Sequence, residues 1–239
     1  MRAEDEAIGA AAPRVLFVSM PVASPHHPAL GLSLLQAALR RESVPADIGH
    51  FYLDFVEHVG IDAYKAVSND KYFLALVGEW LFAPAAGMDV GAKGMRYVSD
   101  VLLGEFFEHM SADALAKIIE VRGAIEPFIQ HCFDQVRWSD YDIVGFSLCF
   151  QQTMASVALA AKVRGAHPQI KIMFGGANTE GEMGAEMLGR FQCVDAIVAG
   201  EADAVVVEVV RALAESRHAD LPGVSMRGSG VHTGGRKSE

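Results

Sequence analysis

The chain has 239 residues, 51% of them apolar, enough hydrophobic material to bury a substantial core, which excludes a disordered polypeptide. Its net charge of −10 and its lack of a basic stripe interleaved with aromatics argue against a nucleic-acid or anionic-membrane surface. Cys132, Cys149 and Cys193 lie far apart and are odd in number, which fits a reducing compartment and neither a disulfide framework nor a zinc knuckle.

The first residues are acidic where a signal peptide would be basic, and no apolar run approaches the roughly 20 residues of a membrane span. The expected location is the cytoplasm. Residues 1–13 read as a loose leader ending at Pro13. Residues 15–20, Val-Leu-Phe-Val-Ser-Met, form a continuous apolar run of strand length, as in a parallel strand covered on both faces. Pro21, Pro25 and Pro28 then exclude helix and stiffen a loop that carries Ser24, His26 and His27. Leu30, Leu32, Leu34, Leu35, Ala38 and Leu39 recur at helical spacing and predict an amphipathic helix. A second strand is expected over residues 46–53.

Between about residues 54 and 138 the pattern turns helical, including 72–82 and 98–110, with breaks at Pro84, Gly87, Gly91 and Gly94. This is too long for an ordinary crossover and reads as a helical insertion between the second and third strands, capping the ligand edge. Within it Glu79-Trp80-Leu81-Phe82 is the most distinctive piece, although such a stripe is more often plain core.

Strand and helix alternate again from Asp142. Strands are expected at residues 143–148, 170–174 and 194–199, with helices at 151–164, 184–191 and 204–215. The expected fold is α/β, a Rossmann-like, doubly wound, five-stranded parallel sheet with that helical insertion. Residues 14–227 make up the domain, and the Gly, Ser and basic residues of 228–239 read as a linker or tail.

In such a sheet the loops at the carboxyl ends of the strands converge on one edge, where ligands bind. Those loops carry Pro21 and Ser24, then Ser147 and Gln151, then Gly175, Gly176, Ala177 and Asn178, and finally Gly200 and Glu201. Gly175 and Gly176 let the main chain approach a ligand closely, and Asn178 or Thr179 can cap the following helix, whose free N–H groups favour an anion. A bulky side chain at Gly176 is expected to fill the ligand space. Glu180 and Glu182 open the same helix, where the macrodipole accounts for acids without catalysis. The chain lacks the Gly-x-Gly-x-x-Gly fingerprint after its first strand and any Gly-Lys-Ser/Thr loop, which disfavours dinucleotides and phosphoryl transfer. His26 and His27 can bind metal or carry a proton but are equally readable as a plain exposed pair. Cys149 can serve as a nucleophile if a base lies nearby, or it is a buried thiol at a strand end.

Several segments resemble one known family. Val-Ser-Met-Pro with Ser-Pro-His-His-Pro and Leu-Gly-Leu-Ser-Leu-Leu, then Gly-Glu-Trp-Leu-Phe-Ala, Gly-Phe-Ser, Phe-Gly-Gly-Ala-Asn with Glu-Gly-Glu-Met-Gly, and Gly200-Glu201 look like the N-terminal cobalamin-binding half of B12-dependent radical SAM enzymes. The closest subgroup matures ribosomally made peptides, and the resemblance runs from about Arg14 to Arg227. It implies a cobalamin domain in which Gly175, Gly176, Asn178, Ser147, Gly200 and Glu201 embrace the corrin and its nucleotide tail. It also implies a methyl group passed from the cobalt to a substrate radical, made with S-adenosylmethionine and a [4Fe-4S] cluster.

The chain departs from that pattern in three ways. It has no Cys-x-x-x-Cys-x-x-Cys triplet for the cluster, so it is expected to be either an N-terminal piece or a standalone relative that works with a radical SAM domain in trans. Its Gly-Glu-Ala-Asp stands where relatives tend to have Gly-Glu-Gly-Glu, which leaves the role of Asp203 open. None of its 9 histidines has Asp two residues before it, so the Asp-x-His-x-x-Gly motif of cobalamin mutases is missing and the lower cobalt face is left to water or a non-histidine group. A precursor peptide is the expected further partner. The alternative reading is a non-catalytic interaction or regulatory module on a degenerate cobalamin-type fold, docking through residues 54–138.

Overall fold

The computed structural model describes residues 12–68, 74–104 and 110–228. Its first strand, β1 (Val15–Ser19), is buried throughout. Alternate side chains enter different cores, Val15 and Phe17 on one face, Leu16 and Val18 on the other. That two-sided burial is what a continuous apolar run requires. Next come α1 (Leu30–Arg41) and β2 (Ala46–Gly49). The second strand is shorter than its sequence suggests, because Phe51, Tyr52 and Phe55 are buried at helical spacing and belong to α2 (Phe51–Val59).

Among the described residues the α-helices that follow before the third strand are α3 (Ile61–Val67), α4 (Val77–Phe82), α5 (Gly91–Arg96) and α6 (Ala112–Asp134). A π-helical turn (Tyr97–Leu102) extends α5. The helices expected at 72–82 and 98–110 lie partly outside the described residues, as do the leader at 1–13 and the tail at 228–239. Ser111 caps α6, its Oγ accepting the Ala114 N–H at 3.1 Å. Trp80, Leu81 and Phe82 are core residues. Trp80 stacks with Tyr97 at 5.0 Å and carries the Arg122 guanidinium 4.0 Å from its ring centroid.

The remaining elements are β3 (Ile143–Ser147), α7 (Thr153–Ala166), β4 (Lys171–Gly175), α8 (Gly181–Arg190), β5 (Ala196–Val198), α9 (Val206–Ala214) and β6 (Val224–Met226). The sheet has six strands in the order β2-β1-β3-β4-β5-β6. Strands one to five are parallel and β6 runs antiparallel to β5. A five-stranded count therefore falls one short. The sixth strand comes from Val-Ser-Met, three residues beside a Pro-Gly turn, too short a signal to stand out against the tail. The fold is α/β, with α1 and α9 on one face and α2, α6, α7 and α8 on the other.

Glu79 of α4 ties the two helical groups on that second face together. Its carboxylate accepts the Met154 N–H at 2.7 Å and the Thr153 N–H at 3.1 Å, so it caps α7 from outside that helix. Burial pushes its pKa above the ordinary 4.5, against the lowering effect of those two amides. A carboxyl with a raised folded-state pKa adds stability below 4.5 that is lost as pH climbs through the raised value. Glu79→Ala is expected to cost about 1–2 kcal/mol in a urea titration at neutral pH. Glu79→Gln removes the titration, so the stability advantage of the wild type over this variant should shrink from pH 4 to pH 7; a constant advantage would remove Glu79 from the pH response.

Candidate functional site

Strand order reverses between β1 and β3, so the chain leaving β1 turns to one face and the chain leaving β3 to the other. A cavity of about 220 Å³ opens at that reversal, between the sheet, α1 and α9. Its floor follows the strand register. Phe17, Gly145 and Met173 are lateral neighbours, and one row further on are Ser19, Ser147 and Gly175. A Cβ on Gly145 would lie 2.9 Å from both the Phe17 ring and the Met173 methyl, so the bare glycine is what lets those two side chains close over the strand and form the floor. Leu34 and Leu35 of α1 and Val206 of α9 form the wall. Gly31 and Gly200 edge the cavity, and a Cβ on either would meet nothing within 4 Å.

Of the residues marked from the sequence, Ser147, Gly175, Gly176, Gly200 and Glu201 line this one cavity. Pro21, Ser24, Gln151, Ala177 and Asn178 do not. Ser24 is exposed and its Oγ meets His27 Nδ1 at 2.8 Å. Gln151 is buried, and its Oε1 accepts the Gly78 N–H at 2.8 Å. Asn178 donates from Nδ2 to the Cys149 carbonyl at 2.8 Å and to Thr153 Oγ1 at 3.0 Å. Neither Asn178 nor Thr179 caps α8; Thr179 Oγ1 instead donates to the carbonyls of Gly176 and Val198, and Glu180 is the N-cap without a side-chain bond. Pro21 is buried and Ala177 is exposed at the start of a short 3₁₀ turn.

The sequence reading missed Gly31, Leu34, Leu35, Gly145, Met173, Asp203 and Val206 as lining residues. Gly145 had a signal, since a lone glycine inside an apolar strand marks a close approach. The α1 residues had none, because leucines facing a cavity and leucines facing a core share one periodicity.

Loops after β1 and β3 are braced from the helical stretch. The Tyr64 hydroxyl accepts the Ala23 N–H at 3.0 Å and donates to the Ala23 carbonyl, and burial pushes its pKa up to about 12. Gln152 bridges the two loops, accepting the Cys149 N–H at 2.9 Å and donating to the Met20 carbonyl at 2.5 Å. The Cys149 thiol is exposed, not buried as one reading of the strand end has it; Cys132 and Cys193 are the buried ones. The Cys149 backbone is held on both sides, the N–H donating to Gln152 Oε1 and the carbonyl accepting from Asn178 Nδ2.

Glu201 and Asp203 are the charged residues of the cavity lining, and both are exposed. Among the described residues no lysine, arginine or histidine lines it. Among the described residues no group of three or more His, Cys, Asp or Glu side chains is placed to hold a metal ion, and no helix is long and apolar enough to cross a membrane. No protein-family model matches the chain, and no curated protein matches it.

Gly176 works as a spacer and does not leave room for a guest. Its φ is +107°, and a Cβ there would sit 2.6 Å from the Leu148 carbonyl oxygen of the neighbouring loop. Filling the ligand space from this position is therefore not feasible without moving backbone. Gly176→Ala is expected to cost about 1–3 kcal/mol, read as a lower urea midpoint; an unchanged midpoint would show that the two loops can separate freely.

Proposed function

We propose that the chain is the cobalamin-binding domain of a B12-dependent radical SAM enzyme that modifies peptides, the family its segments resemble. The observation that carries the reading is the apolar, glycine-edged cavity at the reversal of strand order. Sites that enclose a whole drug-sized ligand measure roughly 300–1,000 Å³. At about 220 Å³ this cavity suits part of a larger ligand, a flat aromatic ring with some of its sugar, and leaves a macrocycle outside at the carboxyl edge. Cobalamin has that division, a corrin with a nucleotide tail. A free nucleotide polyphosphate would find no counter-charge among the lining residues, whereas the tail carries a single phosphodiester.

In this reading Phe17, Met173, Leu35 and Val206 exclude water from the tail, and Ser147 with the Gly200-Glu201 turn meets its polar end. The cobalt, when bound, supplies a carrier for the methyl group. Radical initiation belongs to a [4Fe-4S] cluster and S-adenosylmethionine on a radical SAM domain, in cis or in trans, with a precursor peptide as substrate.

A second reading, a protein-docking module, is favoured by exposed apolar side chains on the helical stretch: Leu74, Met95 and Leu103 are 65%, 76% and 51% exposed. The two readings separate on colour. Mixed with hydroxocobalamin and desalted, the purified chain is expected to keep the visible corrin spectrum in near one-to-one amount. Gly31→Trp, which enters open space at the cavity edge, is expected to abolish that retention while circular dichroism stays unchanged. A colourless wild type would sink the cobalamin reading, and a coloured Gly31→Trp would move the tail elsewhere.

A further inference from the structure

We infer that the cavity selects the chemical class of the base it receives: a benzimidazole or phenol-type base is accepted and a purine is rejected. The inference rests on the cobalamin reading above and adds to it a specificity determinant in this chain's own residues. It comes from where hydrogen-bonding groups are missing. The floor is built by β1, β3 and β4, whose backbone N–H and C=O groups are directed along the sheet to neighbouring strands. At the level of Phe17, Gly145 and Met173, and on the facing wall of Leu32, Leu35 and Val206, every side chain ends in carbon, apart from the Met173 thioether sulfur and the bare Gly145. The polar side chains of the lining stand only at the carboxyl rim, Ser147 as the last residue of β3 and Glu201 with Asp203 beyond β5.

A purine carries donors and acceptors around its outer edge, an exocyclic amine and ring nitrogens in the case of adenine. At the level of Phe17, Gly145 and Met173 that edge would lose its water and meet carbon, with polar side chains only at the rim. 5,6-Dimethylbenzimidazole carries methyl carbons on its outer edge and a single free ring nitrogen, and the p-cresol ring carries no nitrogen, so both meet a smaller penalty than the purine. Ser147 is one hydroxyl and cannot satisfy a purine edge that needs several partners. Met173 is the side chain best placed to change the outcome, being 95% buried, unbranched and packed over Gly145 in the floor.

The test uses the full chain and three cobamides that differ only in the lower base: 5,6-dimethylbenzimidazole, adenine and p-cresol. Equilibrium dialysis followed by visible spectra gives each dissociation constant without any catalytic assay. The expected result is that the dimethylbenzimidazole and p-cresol forms bind about ten- to a hundredfold tighter than the adenine form. The p-cresol arm separates the wall from the cobalt, because that base has no nitrogen to coordinate the metal. Equal binding of all three, or tighter binding of the adenine form, overturns the inference and leaves the cobalamin reading standing. Retention of none of them overturns both. Met173→Gln, which brings an amide into the floor, is expected to narrow the ratio; a folded variant with an unchanged ratio overturns the assignment of selectivity to this apolar lining.

Discussion

Crossovers between parallel strands are right-handed, and that handedness organises this molecule. Because β2 lies on one side of β1 and β3 on the other, the helix after β1 must cover one face and the helix after β3 the opposite face. The two exits diverge at the carboxyl edge. The cavity lies at this divergence, and the loops after β1, β3, β4 and β5 are brought to one rim by the same rule.

A divergent pair of loops is also a weak point, since backbone amides near the reversal have no strand to pair with. The helical stretch between β2 and β3 supplies the missing partners. Tyr64 of α3 fastens Ala23, Gly78 of α4 fastens Gln151, and Glu79 fastens the first turn of α7. Residues distant in sequence thus set the geometry of a rim they do not line, and a carboxyl held off its ordinary pKa is part of that fastening. The same stretch buries Phe55, Phe82 and Phe128 against one another, so the brace is anchored in a core of its own.

At the amino edge the sheet is closed by charge. Asp195 accepts the Ile172 N–H at 2.7 Å and pairs with Arg164, while Arg227 donates to the carbonyls of Leu188, Phe191 and Val194. These bonds occupy the polar groups there and join β6 to the parallel strands. The carboxyl edge lacks such cross-links around the cavity, and its acidic rim of Glu201 and Asp203 stands open to solvent. The two edges therefore differ in kind, one cross-linked by guanidinium contacts beside a cavity of about 410 Å³ lined by Asp195, Arg217 and Arg227, the other bearing an acidic rim around the apolar cavity.

Strand-length apolar runs, the helical leucine spacing of α1 and the glycines that end β4 determined the α/β class, the parallel strands and the edge on which the loops gather, because these are local patterns with fixed periods. Five of the ten marked residues lie in one cavity for the same reason, sitting at or just beyond the carboxyl ends of strands that share a direction. Which face the cavity opens on, and that Gln151 and Asn178 turn away to fasten loops, depended on contacts between segments tens of residues apart. So did the close approach of Phe17 and Met173 over Gly145, which register alone places side by side, and the brief β6, whose three residues become a strand only when Asp195 and Ala199 flank a partner for them. Periodicity along a chain specifies what a segment is; side-chain burial and register between segments decide what it faces.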